Sequence, residues 1–543
     1  MRDPVSPATS TRREFVIAGG AALAAAVVPP AVHRAPDHDL LIRGGTVFDG
    51  TGGAGIDHDV AISGGRITAV GRRLAGRATE EIDARGLAVA PGFIDIHSHG
   101  DGSLEQDPRA ESLVREGITT IIAGQDGGSD ATGAPDSGFD ALLRTIEGYA
   151  PSVNVASMLG LGSVRGAVVG ERDRPATPEE LARMVGMVEA ALAQGACGAS
   201  SGLEYTPGAF APRDELIALC RPLAARRLPY ATHMRNEDDR VLEAIDEAIA
   251  VAEGAGCPLQ ISHLKTQGPR NWGKLDTAFA RIAAARERGV DVAFDRYPYV
   301  AYQTGLTNLF PVWSRDGGID GFLARLDDSG TAPRIRAETL AKIELLGGWD
   351  NVMVTSVRDS TDRAAEGKRL GAFSQAAGSD PYLMATALLR RSHGGVGMVG
   401  FAMSEENLER ILAHPLGMVC SDGGSYAVDG PTRRGSPHPR GLGTFPRVLG
   451  RYVRERKALT LPAAIHKMSG FPAGRVRLAG RGGLRPGGAA DVTVFDPGTV
   501  IDRATFEQPF QYPAGISVVV VNGTIALQQG ERRAGGHGRA LRP

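Results

Sequence analysis

The side chains best suited to chemistry in this chain are imidazoles and carboxylates placed where short apolar runs end. Ala90-Pro91-Gly92-Phe93-Ile94-Asp95-Ile96-His97-Ser98-His99-Gly100 closes on two histidines one residue apart. Successive strand side chains point to opposite faces, so His97 and His99 share a face and Ser98 points away. Tyr230-Ala231-Thr232-His233, Gln260-Ile261-Ser262-His263 and Val419-Cys420-Ser421-Asp422 repeat the arrangement with one ligand-type residue each. Any of these alone is an ordinary polar strand cap. Four histidines and an aspartate at the carboxyl ends of strands converge on one mouth if the strands form a barrel, because barrel enzymes keep their chemistry at that end. Imidazole and carboxylate ligands suit zinc, which in catalytic sites keeps one position open for water.

The elements that must position these residues alternate as a barrel requires. Strand-like runs cover Phe93 to His97, Ile118 to Ala123, Val153 to Leu159, Ala196 to Ser200, Pro229 to His233, Pro258 to His263, Val292 to Tyr297 and Gly417 to Ser421. Helical stretches intervene, among them Pro178 to Ala193, with Thr177 as N-cap and Glu180 three residues on, and Asp239 to Glu253. The expected fold class is therefore α/β, an eight-stranded βα barrel over residues 93–475. The interval of about 300–415 is too long for one connection and is expected to be an insertion that lies over the mouth as a lid.

Both ends of the chain read as short strands and glycine turns. Leu40-Leu41-Ile42, Val60-Ala61-Ile62 and Arg66-Ile67-Thr68-Ala69-Val70 at one end match Asp491-Val492-Thr493-Val494-Phe495 and Ile516-Ser517-Val518-Val519-Val520-Val521 at the other. Neither set suffices for a domain, so residues 36–92 and 476–535 are expected to combine into one small β-sandwich. Residues 1–35 form a third category. Thr11-Arg12-Arg13-Glu14-Phe15-Val16 before a short Ala- and Gly-rich apolar stretch resembles a twin-arginine signal, which implies a periplasmic or extracellular location. That stretch is too short to span a membrane, and no later segment qualifies.

With 42% hydrophobic and 22% charged residues and a formal net charge of -2, the composition is that of a globular protein without the basic excess of a nucleic-acid binder. Cys197, Cys220, Cys257 and Cys420 are far apart and form no C-x2-C pair, so they read as buried free thiols. Nothing in the sequence speaks to oligomeric state.

The whole pattern of H-x-H after the first strand, histidines after the fifth and sixth, and Asp after the eighth resembles the amidohydrolase superfamily. Finer runs resemble its N-acyl-D-amino-acid deacylase (D-aminoacylase) branch: Ser200-Ser201-Gly202-Leu203-Glu204-Tyr205-Thr206-Pro207-Gly208, Thr232-His233-Met234-Arg235-Asn236-Glu237, Ile261-Ser262-His263-Leu264-Lys265, Tyr297-Pro298-Tyr299, and Pro437-His438-Pro439-Arg440 before Gly443-Thr444-Phe445-Pro446-Arg447. One departure stands out. The branch usually carries a metal-binding Cys after the second strand, whereas this chain has Gly124-Gln125-Asp126-Gly127. Asp126 can still hold a metal, and a carboxylate can bridge two ions, so one or two zinc ions are expected. No Lys occurs between Gly100 and Thr232, which excludes a carboxylated-lysine bridge there and leaves Asp126 as the bridging candidate.

The expected metal ligands are thus His97, His99, Asp126, His233, His263 and Asp422. The implied reaction is hydrolysis of the amide of an N-acyl-D-amino acid, a small-molecule partner, with Asp422 as general base and then acid. Tyr205, just beyond the fourth strand, is placed to donate to the developing oxyanion. Lys265, one of six lysines and two residues past His263, is the candidate anchor for the product amino acid's carboxylate. The resemblance adds Tyr297 and Arg440, the latter able to grip a carboxylate with two donors. Two other readings stay open: hydrolysis of β-aspartyl dipeptides or cyclic amides on the same centre, and a non-catalytic binding protein of the same fold.

Overall fold

The computed structural model describes residues 36–131 and 138–543. The expected twin-arginine segment lies outside the described residues. Eight parallel positions form the barrel, in order Phe93–Asp95, Ile118–Ala123, Asn154–Ser157 continuing as Leu159–Gly160, Ala199–Gly202, Tyr230–His233, Leu259–Ile261, Val292–Arg296 and Gly417–Val419. The third position joins two sheets, its first half pairing with Ile118–Ala123 and its second with Ala199–Gly202. Every residue of these strands is buried, which is why they read as continuous apolar runs rather than as alternation.

The seam between the last and first strands is closed by a side chain. Asp95 accepts hydrogen bonds from the Ser421 backbone N–H at 2.8 Å and the Ser421 hydroxyl at 2.5 Å. Just beyond, the Asp422 N–H donates to the His97 carbonyl at 2.8 Å and the His99 N–H to the Gly423 carbonyl at 2.9 Å. The two histidines and Asp422 are thereby locked to one another through their own backbone.

The ends of the chain meet in one nine-stranded sheet. Ala88–Pro91 pairs antiparallel with Val492–Phe495, the ladder that joins the N-terminal strands to the C-terminal ones. The sheet encloses its own core, in which Ile42, Val60 and Ile62 meet Val494, Val518 and Val520. Val519 and Val521, on the opposite face of the same strand, belong to the barrel's core. The continuous apolar run of this strand follows from its burial on both faces. Past the sheet, the Arg539 carbonyl accepts from Val155 N–H at 2.9 Å and Leu541 N–H donates to the Val155 carbonyl at 2.8 Å, so the C-terminal residues lie along the third barrel strand.

The insertion is a small layer of its own. Ala301–Gly305, Val396–Phe401 and Val352–Val357 form an antiparallel sheet with the middle strand last in sequence. Helices Gly318–Asp327, Ala332–Leu346, Leu370–Ala376 and Pro381–Arg391 pack around it. The helix Glu405–Ala413 lies against the eighth barrel strand, so the insertion ends earlier than residue 415. The expected helix Pro178–Ala193 forms with its capping box complete: Glu180 N–H donates to Thr177 Oγ1 at 3.2 Å and Thr177 N–H to Glu180 Oε2 at 2.8 Å. The fourth strand begins three residues later than its apolar run suggested, after Gly198 at φ +156°. All four cysteines are buried and free.

Candidate metal centre and active site

A cavity of about 840 Å3 opens at the carboxyl ends of the barrel strands. His99, Asp126, Tyr205, His233, His263, Lys265, Tyr297, Asp422 and Arg440 line it, and His97 lies buried beneath. The structure thus gathers all the residues singled out from the sequence around one space.

Asp126 is at its centre. Its Oδ1 lies 3.4 Å from His97 Nε2 and 3.6 Å from His263 Nε2; its Oδ2 lies 3.5 Å from His99 Nε2 and 3.9 Å from His233 Nδ1. One carboxylate therefore reaches two groups of ligands. The first is His97, His99, Asp126 and Asp422, and the second Asp126, His233 and His263. Asp422 Oδ1 completes the first group at 3.6 Å from His97 and 3.3 Å from His99. His97 Nε2 and Asp126 Oδ1 are buried without a hydrogen-bond partner. Buried polar atoms are rarely left so, and two of them facing each other among imidazoles fit a cation that bonds to both. The residues present therefore fit zinc.

The backbone holds these ligands in uncommon conformations. Asp126 sits at φ +52°, Asp422 at φ +49° and His263 at φ +35°, a left-handed region that non-glycine residues enter rarely and mostly at functional sites. The Asp126 turn is possible because Gly127 follows it: a Cβ at Gly127 would stand 2.8 Å from the Gly202 nitrogen.

Charge explains the same geometry. Desolvation pulls the pKa values of buried His97 and half-exposed His99 down, yet Asp126 and Asp422 outweigh it and raise both. Burial would likewise raise Asp126, but His97 and His263 hold it well below the usual carboxylate range. The cleft demands positive charge at this point, and a divalent cation supplies it without protons.

A buried polar layer orients the ligands from behind. Asp295 Oδ1 accepts from the His263 N–H at 2.7 Å and lies 3.6 Å from His97 Nδ1, while Gln260 donates to its other oxygen at 2.7 Å. Glu237 Oε1 lies 3.0 Å from His263 Nδ1 and accepts from Lys265 Nζ at 2.6 Å. Glu204 Oε2 is 3.4 Å from His233 Nε2. Such partners fix imidazole orientation and tautomer. Sequence reasoning assigned no role to Asp95, Glu204, Glu237 or Asp295. The available signal was a carboxylate in or just after an otherwise apolar buried strand, where an unpaired charge is costly.

The groups expected to touch substrate share one wall. Arg440 lies 4.7 Å from the Tyr297 ring centroid and Lys265 6.0 Å from it, and the Tyr297 hydroxyl and Arg440 Nε are buried without partners. Lys265 is not a free cation, since it is paired with Glu237 and lies 2.7 Å from His263 Nδ1. Arg440 pairs with Asp422 Oδ2 at 2.6 Å, leaving Oδ1 to face the histidines. Thr304, from the insertion, donates to the Tyr205 hydroxyl at 3.2 Å, and burial followed by the charge of Asp126 holds that hydroxyl's pKa well above 10. Tyr205 accordingly keeps a proton to donate.

An α/β barrel with imidazole and carboxylate ligands at its mouth, joined to a sheet made from both chain ends, defines a metal-dependent hydrolase, and the chain belongs to the amidohydrolase family, whose model matches residues 80–312 and 420–527. It is 37% identical to N-acyl-D-glutamate deacylase of Alcaligenes xylosoxydans xylosoxydans, over 90% of this chain and 94% of that protein. It is 36% identical to D-aminoacylase of the same organism, over 90% of this chain and 95% of that one. Among solved structures, N-acyl-D-glutamate deacylase from Bordetella bronchiseptica, complexed with zinc and a phosphonate inhibitor that mimics the reaction's tetrahedral intermediate, superposes with a TM-score of 0.79 at 35% identity, covering 93% of this chain and 100% of that one.

Proposed function

We propose that the protein hydrolyses the amide bond of N-acyl-D-amino acids, releasing a carboxylate and a free D-amino acid. The observation that carries this is the ligand set gathered around Asp126, in a chain alike over nine-tenths of its length to enzymes named for that activity. The D configuration is supported by those relatives. Bound among these ligands, zinc supplies a water of lowered pKa and polarises the scissile carbonyl.

The chain's own groups do the rest. Asp422 Oδ1, which faces His97 and His99, accepts the proton of the attacking water as the carbon–oxygen bond forms. It then delivers that proton to the amine nitrogen as the carbon–nitrogen bond breaks. Tyr205 donates its hydroxyl proton as a hydrogen bond to the carbonyl oxygen while charge develops there. Tyr297 and Arg440 present unpartnered donors to the substrate's α-carboxylate, and Lys265 steadies the Glu237–His263 pair behind them. Thr304 and Gln303 bring the insertion to the cavity wall, where it restricts bulk water.

Removal of the metal tests the reading. Protein stripped with a chelator is expected to lose hydrolysis of N-acetyl-D-leucine, and added zinc to restore it; equal activity with and without metal would refute the proposal. We further propose that the Arg12-Arg13 segment directs export to the periplasm or medium, which expression with and without residues 1–35 and fractionation would test.

A further inference from the structure

A second cavity of about 400 Å3 lies next to the catalytic one, between the insertion and the loop after the fourth barrel strand. Tyr205 and Thr206 line both cavities, so a ligand in the second touches the wall of the first. The two spaces differ in charge. The catalytic cavity is lined by several carboxylates, whereas the side cavity has Arg315, Arg358 and His393 and no acidic residue in its lining.

The two arginines lack counter-ions. Arg315 is 7% exposed, and its Nε is buried without any hydrogen-bond partner. Its one hydrogen bond among the described residues runs from NH2 to the backbone carbonyl of Glu204 at 3.0 Å. The Glu204 carboxylate is turned away, towards His233 and Asn308. Among the described residues, neither Arg315 nor Arg358 has a carboxylate within ion-pair distance. Asp320 is 88% exposed and lies 3.5 Å from His393, while Glu171, which lines the catalytic cavity and whose Cγ would stand 3.4 Å from a Cβ at Gly318, acts on Arg315 only from beyond ion-pair distance, as does Glu204. Burying a guanidinium without a paired anion is costly, and burial outweighs the more distant charges of Glu204 and Glu171 to hold the Arg315 pKa below its ordinary value.

Two further features suit an anion with a short apolar body. The helix Gly318–Asp327 begins at this cavity with no side chain capping it, and its first two turns contribute Gly318, Ile319 and Phe322 to the wall, with Asp320 of the first turn directed to solvent. Gly395 lets the Arg358 guanidinium lie against the backbone, since a Cβ there would stand 2.8 Å from Arg358 Nε.

We propose that this side cavity is a carboxylate-binding site, which holds a small organic acid with its charge on Arg315 and Arg358 and its chain against Ile319 and Phe322. Such an acid has two sources: a free acid, including the one released from the acyl half of the substrate, or a carboxylate at the far end of the substrate's own acyl arm. The connection to turnover rests on the deacylase reading; the binding itself does not.

Calorimetric titration of the zinc-loaded protein with butyrate, and with butyramide as the uncharged control, tests the site. Butyrate is expected to bind and butyramide not, and Arg358→Ala, an exposed position outside the catalytic machinery, to weaken butyrate by about tenfold or more. Arg315→Gln should do the same wherever it folds. Kinetics then separate the sources. If the acyl arm supplies the carboxylate, Arg358→Ala lowers kcat/KM for N-succinyl-D-leucine and leaves N-acetyl-D-leucine unchanged. If a free acid supplies it, both substrates behave alike and the variant relieves inhibition by added butyrate. Butyrate binding that is identical in wild type and Arg358→Ala overturns the proposal, because it places the acid in the catalytic cleft alone. Arg358-dependent binding in a protein that hydrolyses no N-acyl-D-amino acid would keep this site and defeat the deacylase reading.

Discussion

At the scale of single residues, the centre depends on carboxylates that do two things at once. Asp422 offers Oδ1 to the histidines and Oδ2 to Arg440, so its geometry as a ligand and its capacity to accept a proton can be separated by substitution. Asp422→Asn keeps the shape and an oxygen ligand while removing the base. The expected result is retained zinc, read by metal analysis, with kcat lower by about 10²–10⁴-fold; full turnover in the variant would take Asp422 out of the mechanism. A pH effect follows from the raised pKa values of His97 and His99, the latter to about 9. In the zinc-free protein their ion pairs with Asp126 and Asp422 stabilise the fold fully below the unfolded histidine value of about 6.5, and that contribution disappears as pH rises through the folded values. Zinc competes with the same protons and binds more tightly as pH rises. The Tm difference between zinc-loaded and zinc-free protein should therefore widen between pH 6.5 and 9. A difference that is flat or shrinks over that range would contradict the assignment of these histidines as ligands.

At the scale of elements, the barrel places the ligands and one buried carboxylate closes it. Asp95 joins the first and eighth strands through Ser421, and burial raises its pKa to about 6 despite those hydrogen bonds. Asp95→Ala leaves the Ser421 N–H and hydroxyl unsatisfied in the seam, at an expected cost of about 3 kcal/mol, read as a lower denaturation midpoint. Activity should fall with it, because Asp422 follows Ser421 directly; an unchanged midpoint would show that the seam closes without Asp95. Much at this scale was legible in the sequence. The strand ending at His233 and the helix opened by Thr177 were marked by local signals: an apolar run with a polar end, and a capping box. The fourth strand was misplaced because Ala196-Cys197-Gly198-Ala199 is small and apolar on both sides of the kink at Gly198. In the insertion, Ala301–Gly305 and Val396–Phe401 went unread because each becomes a strand only by pairing with the other, far along the chain. The roles of Glu204, Glu237 and Asp295 were hidden for a similar reason. The sequence shows a carboxylate near a strand end but not the imidazole it faces.

At the scale of the whole molecule, the barrel, sheet and insertion act on one cavity. The strand Ile516–Val521 buries Val518 and Val520 in the sheet's core and Val519 and Val521 in the barrel's, so the two chain ends and the barrel share one packed interior. The insertion contributes Thr304, which orients Tyr205, and Asn308, which holds Glu204. Substrate selection belongs to this scale, since the metal ligands, Tyr205 and the Arg440–Tyr297 wall come from different strands and line one cavity, whose remaining wall must tell a side chain from a hydrogen on the substrate's Cα. The most direct measurement is kcat/KM of the zinc-loaded protein for matched N-acetyl-D- and N-acetyl-L-amino acids. Turnover of the D series is expected, with at least about 10²-fold less for the L series, since a mirror-image substrate that holds its carboxylate and its carbonyl on the same groups must exchange its side chain and Cα hydrogen and so carries the side chain to the opposite side. Zinc-loaded protein that hydrolyses no member of the D series, or both series equally, would contradict it.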